Sequence, residues 1–248
     1  MNLFEHIGKY FLMLRFVFSR PEKGRVFWER FFTEAQGIVI NSIPLIGFLS
    51  IFMGGVISLQ TASNMSSPLL PEYTIGYITR QSTILEFSPT IISLIIAGKV
   101  GSNIASEIGT MRVTEQIDAL EIMGVNSIGY LMFPKILATT IFFPFAIIIS
   151  MLLSLIGGWI AGVTSNLYTT ETYIIGLRAF WDVDQHHLYY ALGKTMVFAF
   201  LITSIACYYG YYTKGGALEV GKASTNAVVA ASVAILLANY ILTQLVLI

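Results

Sequence analysis

The sequence predicts an all-α integral membrane protein. It reads as an N-terminal interfacial amphipathic helix, five transmembrane helices, and a short cytosolic helix between the second and third spans. Three observations predict this. Hydrophobic residues make up 55% of the 248, and mean hydropathy is +0.73. Charged residues are 11%, against about a quarter in a soluble domain. Finally, charge is scarce along most of the chain but dense in EIGTMRVTEQIDALEIMGVN, Glu107 to Asn126. The net charge of zero gives no pull toward nucleic acid.

The first 34 residues mix six Lys/Arg and four acids with many aromatics, among them Phe11, Phe16, Trp28, Phe31 and Phe32. Glu5, His6, Lys9 and Arg15 interrupt the apolar run too often for a signal peptide. The mixture suits helices lying in the headgroup region, broken near Pro21. Residues 1–34 are therefore read as N-terminal interfacial or cytosolic helices, and 35–248 as a five-span domain.

A span needs about 20 apolar residues. No charge occurs between Glu34 and Glu72. Gly37 to about Leu59 is the expected first span, with Asn64, Pro68 and Pro71 in an outside loop. Glu86 to Glu107 is roughly 31 Å of helix, one bilayer thickness, and forms the second. Lys99 then lies roughly 12 Å inside the Glu107 end, a candidate intramembrane charge that either snorkels or takes a partner. Ile136 to Val163, 195–213 and 223–248 are the remaining spans. With the N-terminus in the cytoplasm, ten Lys/Arg fall inside, against Arg80, Arg178 and Lys194 outside. That bias puts the charged stretch on the cytoplasmic face and the C-terminus on the opposite side, which the resemblance described below makes the periplasm.

On a helix from Met111 to Met123, Val113, Ile117 and Leu120 share an apolar stripe about 60° wide. Glu115, Asp118 and Glu121 fan across the other side. Thr110 is placed to cap the start and Gly124 to end it. Arg112 precedes Glu115 by three residues, which allows a weak local pair. A short, well-punctuated helix between two spans offers a handle to a motor protein, whereas a solvated loop would be richer in Ser, Pro and Lys.

These residues resemble the core motif of the MlaE-type permease family, the membrane subunits of bacterial ABC transporters for phospholipids or related lipids. The resemblance is carried by Gly98, Lys99, Gly101, Glu107, Gly109, Thr110, Met111, Arg112, Thr114, Glu115, Gln116, Asp118, Ala119, Leu120, Met123 and Gly124. It extends to Glu86 and Pro89, Pro134 and Lys135, Gly193, Lys194 and Phe198, and to GGALEVGKASTNAVVAAS. It implies a permease homodimer in the bacterial inner membrane, with two cytosolic ABC ATPase subunits docked on the 110–124 coupling helix. It also implies a periplasmic lipid-carrying MCE-type protein and a lipid pocket that includes Leu59, Gln60 and Glu86. The chain itself would be no enzyme and hold no cofactor; ATP and Mg would belong to the ATPase. A secondary transporter or channel without an ATPase partner is the rival reading, and only Glu86 and Lys99 approach its mid-membrane chemistry.

Other patterns are weaker. GALEVGKA, Gly216 to Ala223, lacks the final hydroxyl of a phosphate-binding loop and follows a span, not a strand. It reads as a tight turn between the last two spans. DVDQHH, Asp182 to His187, reads as a polar outside loop, not a metal site. Cys207 is a small buried hydrophobe. Small residues at Gly98, Gly101 and Ala105, at Gly54 and Gly55, and at Gly158 and Gly162 allow close helix approach, within the bundle or between two copies.

Overall fold

The computed structural model describes residues 3–18, 24–65 and 71–247; the expected break at Pro21 and the loop residue Pro68 lie outside them. Described residues are overwhelmingly helical, with no strand among them. Helix α1 is Leu3–Val17. Helix α2 (Gly24–Glu34) runs on through a π-helical stretch (Ala35–Val39) and a 3-10 turn (Ile40–Ser42) into α3 (Ile43–Asn64). Helix α4 (Tyr73–Ser82) likewise continues through π-helical Thr83–Ile91, α5 (Ile92–Ile96) and π-helical Ala97–Gly101 into α6 (Ser102–Val113). Then follow α7 (Gln116–Ile122), α8 (Ser127–Thr164), α9 (Thr170–Arg178), α10 (Trp181–Tyr211) and α11 (Ala217–Leu247).

Five of these stretches are long and apolar enough to cross a membrane: Val26–Asn64, Tyr73–Val113, Ser127–Thr164, Trp181–Tyr211 and Ala217–Val246. All five begin before the expected limits, and the first three also end beyond them. The second, third and fourth take in charges that read as boundaries, because Arg80, Lys135 and Lys194 are buried inside them. DVDQHH is not a loop but the first turns of α10. Most of GALEVGKA is not a turn but the start of α11; the turn lies just before it, where Gly215 takes φ +119°.

The chain divides into two compact units. One comprises Met1–Asn41, Leu94–Phe143 and Met196–Leu245. Its core is aliphatic, with Ile104, Ile108, Ile117, Met132 and Ile202 fully buried, beside an aromatic cluster of Phe27, Phe31 and Phe142 around Ala35 and Ala138. Helix α1 buries Met13 and Val17 and turns Phe11, Leu12 and Phe16 outward, a pattern suited to a headgroup layer.

The other unit comprises Ser42–Ser93, Pro144–Thr195 and Val246–Ile248. Here the small-residue stripes of α3 and α8 meet each other. A methyl group on Gly54 would sit 1.8 Å from the Ser154 carbonyl oxygen, and one on Gly157 would sit 2.0 Å from that of Ile51. Those backbones touch, so the Gly54/Gly55 and Gly158/Gly162 stripes pack within one chain. Ser50 donates to Ser150 at 2.8 Å, and Ser150 to Ser88 at 3.2 Å. Tyr168 and Tyr173 stack at 5.2 Å between centroids. Helix α9, which the sequence reading omitted, is started by a Thr169/Thr172 capping box.

Gly54→Leu is expected to cost about 1–3 kcal/mol or more, because the added atoms meet backbone. Gly98 faces open space, so Gly98→Ala should hold or gain up to about 1 kcal/mol. Melting of the detergent-solubilised variants checks the contrast.

Candidate functional site

The predicted three-turn helix at 111–123 is in fact two pieces. Met111, Arg112 and Val113 finish α6, and α7 begins only at Gln116. The break is at Glu115, whose φ is +59°. A side-chain-bearing residue in that left-handed conformation costs roughly 1–2 kcal/mol. Thr110 does not cap a helix start; its hydroxyl donates back to the Ser106 carbonyl at 2.7 Å, inside α6. Thr114 does the same to Thr110 at 2.8 Å. Gly124 does end α7, at φ +76°, with Val125 N–H donating to the Leu120 carbonyl at 3.1 Å.

The apolar stripe supports α7 from behind: Ile117 is fully buried and Leu120 half-buried. Gly109 fits under Val220 of α11, where a methyl would lie at 3.3 Å. Arg112 pairs not with Glu115 but with Asp118, at 2.6 Å, and its guanidinium lies 5.6 Å from the Tyr211 ring centroid. Glu121 accepts from Tyr211 and Ser127 hydroxyls, each at 2.9 Å. Two of the three acids are thus spoken for. The outward side of α7 presents Thr114, Glu115 and Gln116, then Ile122 and Met123, which are 88% and 68% exposed. Ile122 was missed, because the sequence reading gave the apolar role to the buried stripe alone.

Glu107 belongs to an ionic triad. Lys135, with a side chain only 3% exposed, donates to Glu107 at 2.9 Å and to Glu34 at 2.7 Å. Nothing local foretold this, since the partners lie 101 and 28 residues from Lys135 in sequence. Lys99 donates to the backbone carbonyl of Asn41 at 2.8 Å. Pro44, lacking an N–H, cannot supply the donor that a 3-10 turn aims at that oxygen.

Of the lipid-pocket candidates, Leu59 is half-buried and Gln60 exposed near the end of α3. Glu86 lies in the π-helical stretch, where Lys194 donates to it at 2.9 Å and the Thr90 hydroxyl at 3.0 Å. Lys194 also donates to the Leu85 carbonyl at 3.1 Å. Arg80, 2% exposed, forms an ion pair with Asp184 and donates to the Leu177 carbonyl at 2.6 Å. Among the described residues no group of three or more His, Cys, Asp or Glu is placed to hold a metal.

Five apolar spans carrying buried, internally paired charges define a polytopic α-helical membrane protein. The chain belongs to the MlaE permease family: the model described as "Permease MlaE" matches residues 31–245. It is 34% identical to a "Probable ABC transporter permease protein" of Rickettsia bellii, over 99% of this chain and 93% of that one. A second probable ABC transporter permease protein, from Synechocystis, is 31% identical over 98% of this chain and 91% of its own. The Arabidopsis thaliana protein "TRIGALACTOSYLDIACYLGLYCEROL 1, chloroplastic" is 30% identical over 92% of this chain and 64% of its own. The chain is a permease subunit.

Lys135→Met leaves Glu34 and the half-exposed Glu107 without their shared cation, and about 1–3 kcal/mol of stability should be lost. Adding Glu34→Gln and Glu107→Gln should return much of it. Lys99→Met removes one hydrogen bond and should cost only about 0.5–1.5 kcal/mol. Thermal melting in detergent ranks the three.

Proposed function

We propose that this permease moves phospholipids or related lipids between the inner and outer membranes of a bacterium, driven by a separate cytosolic ATPase that docks on residues 110–124. The observation that carries the docking is α7 itself. It is held from behind by Ile117, Arg112–Asp118 and Glu121–Tyr211, and it hangs on a left-handed residue. A solvated loop has no use for such bracing. Its outward apolar pair, Ile122 and Met123, is what a desolvated contact takes up. Glu115 and Gln116 supply the polar rim, and Thr114 the approach to it.

Glu107, Gly109, Thr110, Arg112, Asp118 and Leu120 then act indirectly, as the frame that couples α7 to the spans. Lipid is the cargo by family resemblance, and one relative is itself named for a diacylglycerol glycolipid. Leu59, Gln60 and Glu86 remain the pocket residues, with Glu86 held ready by Lys194. The permease works as a homodimer with two ATPase subunits, which hold the ATP and Mg, and hands lipid to a periplasmic MCE-type carrier. Its N-terminus is cytoplasmic and its C-terminus periplasmic. Burial of Arg80 and Lys194 supports that orientation, because it leaves Arg178 as the main loop cation outside.

Glu115→Lys with Met123→Asp replaces the rim charge and half the apolar tip without touching the braces. Losing a few kcal/mol at the contact is a tenfold fall for each 1.4 kcal/mol or so. The variant should insert normally, lose ATPase on co-purification, and fail in ATP-driven lipid transfer between vesicles. Full retention of ATPase and transfer would sink the docking assignment.

A further inference from the structure

A cavity of about 520 Å³ opens in the unit that contains α1, lined by residues of α1, the end of α6, and the α10–α11 turn with its flanking helices. Four cations line it: Lys9, Arg112, Lys214 and Lys222. Glu219 is the one acid in the lining. Tyrosines 208, 209 and 212 add hydroxyl groups.

Three of the cations have acid partners. Lys9 reaches Glu5 at 2.8 Å, Lys222 reaches Glu219 at 2.7 Å, and Arg112 reaches Asp118 at 2.6 Å. All three pairs are substantially exposed, and exposed pairs are worth only about 0–1 kcal/mol. Their cations are therefore free to turn toward a stronger anion. Lys214 has no acid partner among the described residues. It sits beside Gly215, whose φ of +119° bends the chain so that Thr213, Lys214 and the first turns of α11 line the same space. A cavity with four cations and one acid selects an anion. Tyrosine hydroxyls and lysines together match the several acceptor oxygens of a phosphate.

An apolar lane leads from it. Leu12 and Phe16 follow Lys9 by three and seven residues, so they share its side of α1. They are 54% and 52% exposed. Lysines and tyrosines at the ends of spans sit at headgroup level.

We propose that this cavity binds a phosphate-bearing anion, and that the lane along α1 makes it the headgroup of an anionic membrane lipid. The site is separate from the transport pocket, since it contains none of Leu59, Gln60 and Glu86. Calling the bound lipid one of the cytoplasmic leaflet rests on the orientation proposed above; the binding itself does not.

The test is native mass spectrometry of the full-length protein, in detergent, titrated with phosphatidylglycerol or phosphatidylcholine, and with inorganic phosphate as competitor. Wild type should retain phosphatidylglycerol in preference to phosphatidylcholine. Lys9→Gln with Lys214→Gln should weaken phosphatidylglycerol binding roughly 10- to 30-fold, the effect of two lysines at an anionic headgroup. Lys9→Arg with Lys214→Arg should restore it, which separates lost charge from lost fold. If millimolar inorganic phosphate displaces phosphatidylglycerol, the phosphate site stands and its source is soluble; no displacement assigns it to lipid. Equal phosphatidylglycerol binding by wild type and the Gln variant overturns the proposal. So does release of a co-purified ATPase by that variant with lipid binding unchanged, which would make the cavity part of a protein contact. Because binding is read without ATP, a failure of the transport assignment leaves this result interpretable.

Discussion

Inside a bilayer a carbonyl that loses its helix donor has no water to turn to, so the protein must supply a replacement. A lysine meets that demand here. Lys99 donates to the carbonyl of Asn41, at the 3-10 turn before Pro44. Pro44 cannot donate to that oxygen, and a cation on another helix closes the gap. Lys194 likewise reaches across to the second span, at the Leu85 carbonyl. Lys194 then carries a charge into an apolar setting, and Glu86 neutralises it at 2.9 Å. The same logic runs through Lys135 with Glu34 and Glu107, and through Arg80 with Asp184. The 11% of residues that are charged are thus concentrated on tying helices together as well as on covering surface.

The fold class was legible because hydropathy reports burial in lipid directly: four spans were countable from uncharged runs, and the second from the bilayer-length separation of Glu86 and Glu107. Their ends were not. A charge in a sequence reads as a boundary, yet Arg80, Lys135 and Lys194 are internal because each has a partner far away along the chain. No local pattern announces a partner about a hundred residues distant. The π-helical stretches at Thr83–Ile91 and Ala97–Gly101 were equally silent, since a widened turn leaves no mark in hydrophobic periodicity over so few residues.

At the candidate docking helix, periodicity found the right buried residue, Ile117, and the right terminator, Gly124. It misplaced the start, because a regular 100° wheel assumes that the chain stays right-handed through Glu115. That one left-handed residue changes what points outward. With it, Ile122 and Met123 become the tip, and Asp118 turns back to Arg112. The resemblance to the MlaE family singled out this segment; the division between its outward residues and its braces came only from the structure.

The pairing of Glu86 with Lys194 also constrains how the chain is made. The two are 108 residues apart, and ribosomes add roughly 5–20 residues each second, so Glu86 exists for about 5–20 s before its lysine is synthesised. A lone carboxylate is costly in hydrocarbon. The second span is thus synthesised before the cation that neutralises it, and the pair can close only once the fourth span has been made. Order of synthesis makes this ion pair a late contact between helices laid down separately.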